Sequence, residues 1–286
     1  MRALLSALLG ALLLACALPE AHKAPMADGG NGGDPGGGGG GTGGAGAVFG
    51  NAMWFKNACA SATPRATMDL EFATAAFTVE FWYRPNNLPA NGEYQVLIAK
   101  GGSNMSIPGW TIFIGGAARG AYLALSTSNT SESVVVGTAA GAIVAGDNYH
   151  FVVWRKQDEA GIWLLQPSHG QIAHEEVKTG MAVPGWVGDE PFALGALRTD
   201  SGCDLDFAAD GVLDEVRIFS REVPQAEFNA DYKAPISPRT NELAAYFQMD
   251  EENGNAMADS VEPARQLTLS GTIDVDYEWV ASPFSD

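Results

Sequence analysis

From Met53 to Phe219 the chain is a succession of short runs rich in β-branched and aromatic residues, separated by Gly, Asn, Pro and Ser. This pattern constrains the fold more than any other feature. In the clearest run Phe77, Val79, Phe81 and Tyr83 alternate with Thr78, Glu80, Trp82 and Arg84, which is the period of a strand with one face on a core. His150 to Trp154 is almost continuously apolar and suits a strand covered on both sides. Further runs lie at Met53 to Lys56, Tyr94 to Lys100, Trp110 to Gly115, Ala121 to Ser126, Ser133 to Gly137, Ile162 to Gln166, Pro191 to Gly195 and Val212 to Phe219. Many strands with almost no helical periodicity predict an all-β sandwich or barrel. The stretch GVLDEVRIFSREVPQAEF, Gly211 to Phe228, reads as a strand followed by one short helix opened by Pro224.

The first 47 residues have a different character. Arg2 precedes an apolar run, Ala3 to Ala15, too short to span a bilayer, so residues 1–15 read as a secretory signal. Leu13-Leu14-Ala15-Cys16 resembles the bacterial lipobox, in which cleavage before the Cys exposes it for acylation; the alternative is a plain signal cut at another small residue. Residues 16–47 are rich in Gly, Ala, Pro and Asp, with Gly36 to Gly41 uninterrupted, and are expected to form a flexible tether. The expectation is an exported protein held to a membrane by lipid alone, with the outer membrane preferred because Ala17 and Leu18 offer no Asp retention signal.

Charge and cysteine count narrow the partners. A formal net charge of −18 repels phosphate backbones and anionic headgroups, which argues against nucleic acid. Setting Cys16 aside as the lipid site, Cys59 and Cys203 remain as an even pair in an exported chain and are expected to form a disulfide; two buried thiols are the alternative.

FTVEFWYRP, VLIAKGG, GWTIFIG, NYHFVVWRK, PFALG and GVLDEVRIFSREVPQAEF, in that order, resemble the laminin-G-like jellyroll of the concanavalin A-like superfamily over about Val48 to Tyr232. The resemblance implies a two-sheet jellyroll sandwich. Its usual opening segment is missing from the start and resembles instead AAYFQMDEENGNAMADS, Ala244 to Ser260, followed by LTLSG and YEWVASPF. Residues 243–286 therefore either complete one domain spanning 48–286 or begin a truncated second one. Completion is favoured, since about 45 residues cannot bury a jellyroll core alone.

That superfamily holds both sugar binders and glycosidases. Retaining glucanases place carboxylates as ExDxxE on one strand, so that nucleophile and acid flank the sugar about 5 Å apart. DLDFAAD, Asp204 to Asp210, lacks the first Glu and has Ala209 at the acid position, and no nucleophile elbow or zinc motif occurs, so no catalytic residues are predicted. The resemblance implies a structural Ca²⁺ on Asp214, joined by Asp250 or Glu251. Asp204, Asp206 and Asp210 form a second candidate set by oxygen-ligand spacing. The alternative is that Asp214 and Glu215 serve turn amides and pair with Arg217 or Arg221. For ligand contact, Trp186 with Asp189 in VPGWVGDE, and Trp110 after SNMSIPG, are the candidates, because sugar faces pack on exposed rings beside polar groups. Trp54, Trp82 and Trp154 lie inside strand patterns and read as core, as does His150, with a hydrogen-bond partner expected for its ring. His169 and His174 make only a weak metal pair. The expected role is recognition of a glycan or an envelope protein, with glycoside hydrolysis or a purely structural envelope role as the rivals.

Overall fold

The computed structural model describes residues 49–56, 60–62, 76–101, 109–116, 118–126, 134–166, 171–179, 192–199, 202–204, 207–237, 240–263, 265–270 and 272–284. Residues 60–62, 126, 171–177, 198–199 and 202–204 are described by their backbone alone. Strands come first in chain order as β1 (Asn51–Phe55), β2 (Ala60–Ala62), β3 (Ala76–Pro85), β4 (Tyr94–Gly101), β5 (Gly109–Gly115) and β6 (Gly120–Ser126). They continue with β7 (Val134–Gly137), β8 (Tyr149–Lys156), β9 (Glu159–Gln166), β10 (Gln171–Lys178), β11 (Phe192–Leu194), β12 (Leu197–Thr199), β13 (Gly202–Asp204) and β14 (Gly211–Phe219). After the helix α1 (Gln225–Asp231) come β15 (Leu243–Phe247), β16 (Ala256–Ala258), β17 (Gln266–Leu269) and β18 (Tyr277–Ala281). Pro224 is the residue before the helix, extended at φ −63° and ψ 147°, so it caps the helix from outside. Among the described residues no helix is long and apolar enough to cross a membrane.

Two eight-stranded sheets carry the fold. The first runs β10-β9-β8-β3-β14-β1-β18, with β15 also on β14; the second runs β16-β17-β2-β11-β4-β5-β6-β7. Every pairing in them is antiparallel, as expected of a jellyroll. The alternation in β3 sends Phe77, Val79, Phe81 and Tyr83 into the core, where they meet Ile98, Ile112, Ile114, Leu123 and Leu194 of the opposite sheet. The C-terminal residues enter both sheets: β15 and β18 in the first, β16 and β17 in the second. Ala47–Asp286 form one compact unit.

β14 is the strand on which the first sheet turns. One edge pairs with β3 along its length; the other pairs with β1 at Gly211, Val212 and Leu213, then with β15 from Val216 to Phe219. Between the two partners the register shifts, and Glu215 adopts φ 53°, a left-handed conformation uncommon for a non-glycine residue. The bulge places successive acids, Asp214 and Glu215, at the handover from one neighbour to the next.

The outer face of this sheet is divided. Over its central part, Trp82, Val152, Trp154, Trp163, Phe219 and Tyr246 are covered by Phe228 of α1, Tyr232 and Phe284, forming a second hydrophobic layer. Charged groups are enclosed beneath it. Arg217 is 1 % exposed, pairs with Glu215 at 2.8 Å, and donates to the carbonyls of Asp231 and Ala234 at 3.1 and 2.5 Å. The Tyr246 hydroxyl donates to the same Glu215 carboxylate. Arg217 therefore ties the far end of α1 to the sheet. Glu80 lies 3.8 Å from it, and burial, opposed by Arg217, pushes its carboxyl up to about 7. His150 packs between Trp82 and Tyr232, at centroid distances of 5.0 and 5.5 Å, with neither ring nitrogen hydrogen-bonded to a described residue. Burial, with Arg217 adding to it, holds His150 well below its ordinary value, so the ring is neutral.

Candidate functional site

A strap marks where the covered part of this face ends. Beyond β18 the chain crosses the sheet: Ser282 donates its amide to the Gly50 carbonyl and its hydroxyl to Asp214 at 2.6 Å, the Pro283 carbonyl accepts from Asn148 at 2.8 Å, and Phe284 stacks on Trp82. On the other side of this strap the outward residues are less covered: Arg84 is exposed, and Val212, Trp54 and Glu278 are half-buried. Arg84 of β3 stands opposite Val212 of β14, Val212 opposite Trp54 of β1, and Trp54 opposite Glu278 of β18. The parity of the strands dictates this row. Met53 and Phe55 are fully buried in the core, so the residue between them must point out, and Trp54 is half-buried.

Polar groups converge beside that ring. The Asp210 carboxylate, just before β14, accepts from Trp54 Nε1 at 3.5 Å, Asn86 Nδ2 at 3.2 Å and Asn87 Nδ2 at 2.7 Å. Its backbone carbonyl accepts the amides of Asn86 and Asn87 at 2.9 and 3.4 Å, which locks the turn after β3 to the start of β14. Gly211 makes this approach possible, because a Cβ there would lie 2.5 Å from the Tyr83 hydroxyl and 2.6 Å from the Arg84 carbonyl. Lys56 lies over the Trp54 ring at 4.5 Å and pairs with Glu278 at 2.7 Å, so one side of the indole is braced by a cation whose charge is compensated.

The arrangement has the chemistry of a sugar platform. A half-buried indole offers an apolar face to ring C–H groups, while a carboxylate and two amides offer acceptors and donors for vicinal hydroxyls. A carboxylate has about four lone-pair positions, and three donors leave Asp210 room for one more. The groups are pre-oriented by one another, which lowers the ordering cost of binding.

Of the residues anticipated from sequence, some are described and take separate places, and others lie outside the described residues. Trp110 is 1 % exposed in the core, stacked on Phe77 at 5.4 Å and edge-on to Phe192, so its ring is no exposed platform. The strand expected at Trp110 to Gly115 is present as Gly109–Gly115, but it turns the Trp110 ring into the core and not toward a ligand. Trp186 and Asp189 lie outside the described residues, as do Cys16, Cys59, Asp206 and His169. Cys203 and Asp204 are placed by backbone in β13, and His174 in β10. Asp210 is described, as a hydrogen-bond acceptor in the open site. Trp82 and Trp154 are buried as expected, whereas Trp54 is half-buried on the outer face and belongs to the site.

At the β14 seam the anticipated acids are adjacent in the fold but separately engaged. Asp214 is fully buried and accepts from Ser282 and the Glu215 amide; burial raises its carboxyl well above the ordinary range. Asp250 accepts the Asn51 amide at 3.1 Å and Glu251 the Ala258 amide at 2.7 Å. Among the described residues no three His, Cys, Asp or Glu side chains converge as metal ligands. Each of the three acids thus already accepts a hydrogen bond: Asp214 from Ser282, Asp250 from Asn51 and Glu251 from Ala258. Glu215 pairs with Arg217, while Arg221 pairs with Glu227.

The fold and site can be set beside known proteins. A candidate carbohydrate-binding protein from Bacteroides ovatus superposes with a TM-score of 0.54 at 17 % identity, covering 83 % of this chain and 62 % of its own. NanB, solved with Optactamide, superposes at 0.50 with 13 % identity, covering 72 % of this chain and 29 % of its own. The laminin α2 chain LG1-3 region gives 0.43 at 15 % identity, with 61 % and 31 % covered. The chain thus spans less than two thirds of each of these structures. No curated protein sequence matches it. A sequence profile described as concanavalin A-like lectin/glucanases superfamily matches residues 60–229, more than half of the chain. With a jellyroll of two antiparallel sheets on the page and that match across its body, the chain belongs to the Laminin G 3 family of the concanavalin A-like lectin/glucanases superfamily.

Proposed function

We propose that this protein is a glycan-binding module, displayed at a bacterial surface by an acylated Cys16 and a glycine-rich tether, and that Trp54, Asn86, Asn87 and Asp210 hold the sugar. The observation that carries the reading is the Asp210 carboxylate gathering two amides and an indole on the open end of the outer sheet face. The carbohydrate-binding description of the Bacteroides ovatus neighbour is in keeping with it. Binding is favoured over hydrolysis because the nearby carboxylate of Glu278 is committed to Lys56, which leaves Asp210 without a second free acid among the described residues of the site.

A glycan array read with wild type and Trp54→Ala, together with a reducing-sugar release assay, tests this. Retention of a glycan by wild type, lost in the variant and without release, is expected. Release of reducing ends would make the protein an enzyme, and silence in both assays would favour a structural envelope role. The anchor is tested separately by labelled palmitate, which should appear on the wild type and vanish in Cys16→Ser. A Cys59–Cys203 bond belongs to the same reading of an exported chain and should leave no reactive thiol on these two residues after denaturation.

A further inference from the structure

Resting on that reading, we infer that the ligand carries an isolated carboxylate, such as one uronic acid in an otherwise neutral oligosaccharide, and that Arg84 receives it. Arg84 is exposed and makes no hydrogen bond or ion pair with a described residue. Its setting makes this informative. It occupies the same outward row as Trp54, separated from it only by Val212, and it stands two residues before Asn86, in the turn that follows β3. Two strand spacings, about 10 Å, separate the guanidinium-bearing strand from the indole-bearing one. A sugar ring lying over Val212 against Trp54 therefore meets Arg84 at one edge and Asp210 with its amides at another.

The other charges of the row are already spoken for. Lys56 is neutralised by Glu278, and Asp210 is held by three donors, so a ligand carboxylate finds Arg84 as the available cation of this row. Guanidinium binds carboxylate through two parallel N–H bonds, a geometry that a hydroxyl does not reproduce. The strap from Ser282 to Phe284 closes the row on its inner side, which directs the ligand across Arg84 and away from the covered half.

Net charge sets the number of acids. A formal charge of −18 opposes the approach of a polyanion, so a polyuronate meets long-range repulsion that one guanidinium does not offset. A single carboxylate is matched one to one.

The test uses the mature protein and matched pairs of oligosaccharides, each bearing one hexuronic acid, with its carboxyl-reduced hexose counterpart, measured by calorimetry alongside a polyuronate. The acid form should bind about tenfold or more tightly than the reduced form, as a charge-assisted pair implies, and more tightly per site than the polyuronate. Arg84→Gln should reduce the acid-over-reduced preference to within about twofold and leave melting unchanged, and Arg84→Lys should restore part of the preference. Equal wild-type affinity for acid and reduced forms overturns the inference while the glycan reading stands. A stronger response to the polyuronate than to the single acid also overturns it. Binding of no glycan overturns both.

Discussion

The two halves of the outer face of the first sheet are built by the same alternation and put to opposite use. In the covered half, Glu80, His150 and Arg217 sit on outward positions of β3, β8 and β14 but are sealed under α1, Tyr232 and Phe284. In the open half, Arg84, Trp54 and Asp210 occupy the equivalent outward positions a few residues along the same sheet and meet solvent. Of the covered groups, Arg217 is held by Glu215 and by the carbonyls of Asp231 and Ala234, which makes it a clamp. The open charges are pre-arranged and leave bonding capacity unused, which suits a ligand. What separates the two is three residues of strap, Ser282 to Phe284, supplied from the far end of the sequence.

The largest effect should come from removing that distal contribution. Deleting residues 243–286 strips β15, β16, β17 and β18 from the two sheets together with the strap, and should abolish cooperative melting. A deletion variant that melts like wild type would erase the division of the face. Next, Arg217→Met should cost about 3–5 kcal/mol by leaving Glu215 buried without its partner, while Arg84→Gln in the open half should stay within about 0.5 kcal/mol. Denaturant melts of the two variants compare the halves directly; similar losses would show that the distinction is false.

Titration sharpens the contrast. Glu80 keeps its proton in the fold up to about 7, against 4.5 unfolded, so its contribution to stability is full below 4.5 and is lost as pH rises toward 7, by about 3 kcal/mol in the limit of complete burial. His150 runs the other way: held neutral below its ordinary 6.5, it costs stability as pH falls beneath that value, because the unfolded chain takes up the proton first. Between 4.5 and 6.5 the two oppose one another. Glu80→Gln removes the first and should make the melting temperature fall more steeply on acidification from 6.5 to 4.5 than in wild type. Parallel slopes would mean that Glu80 is not titrating under α1. The smallest effect concerns calcium: with Asp214, Asp250 and Glu251 already engaged, a chelator should leave melting unchanged, and a downward shift would place a cation among the acids after all.

Fold class is legible in this sequence because alternation is a local signal: Phe77 to Tyr83 and the continuous His150 to Trp154 run point to half-covered and fully covered strands, and the structure shows a sandwich in which β3 and β8 are neighbours. Short or polar strands were less visible. Gln171–Lys178 carries Glu175, Glu176 and His174 because it is an edge of its sheet, where alternation is weak. The site was legible only in part. Asp210 is legible in the sequence as one of three acids at ligand spacing, but its contacts with the two Asn of a turn some 120 residues away are not. Trp54 read as core, although its place between Met53 and Phe55 assigns it to the opposite face by parity alone. Whether an outward position is open or covered depends on where α1 and the strap return, and no local pattern encodes that.

The most direct measurement of the central claim is hydrogen exchange on the full mature chain with and without an array-selected glycan. Binding at the open half predicts slowed exchange at residues 51–56, 84–87 and 207–212, with no change at α1 or the Arg217 clamp. Protection that spares β1 and the 207–212 segment, or that centres on α1, would contradict it.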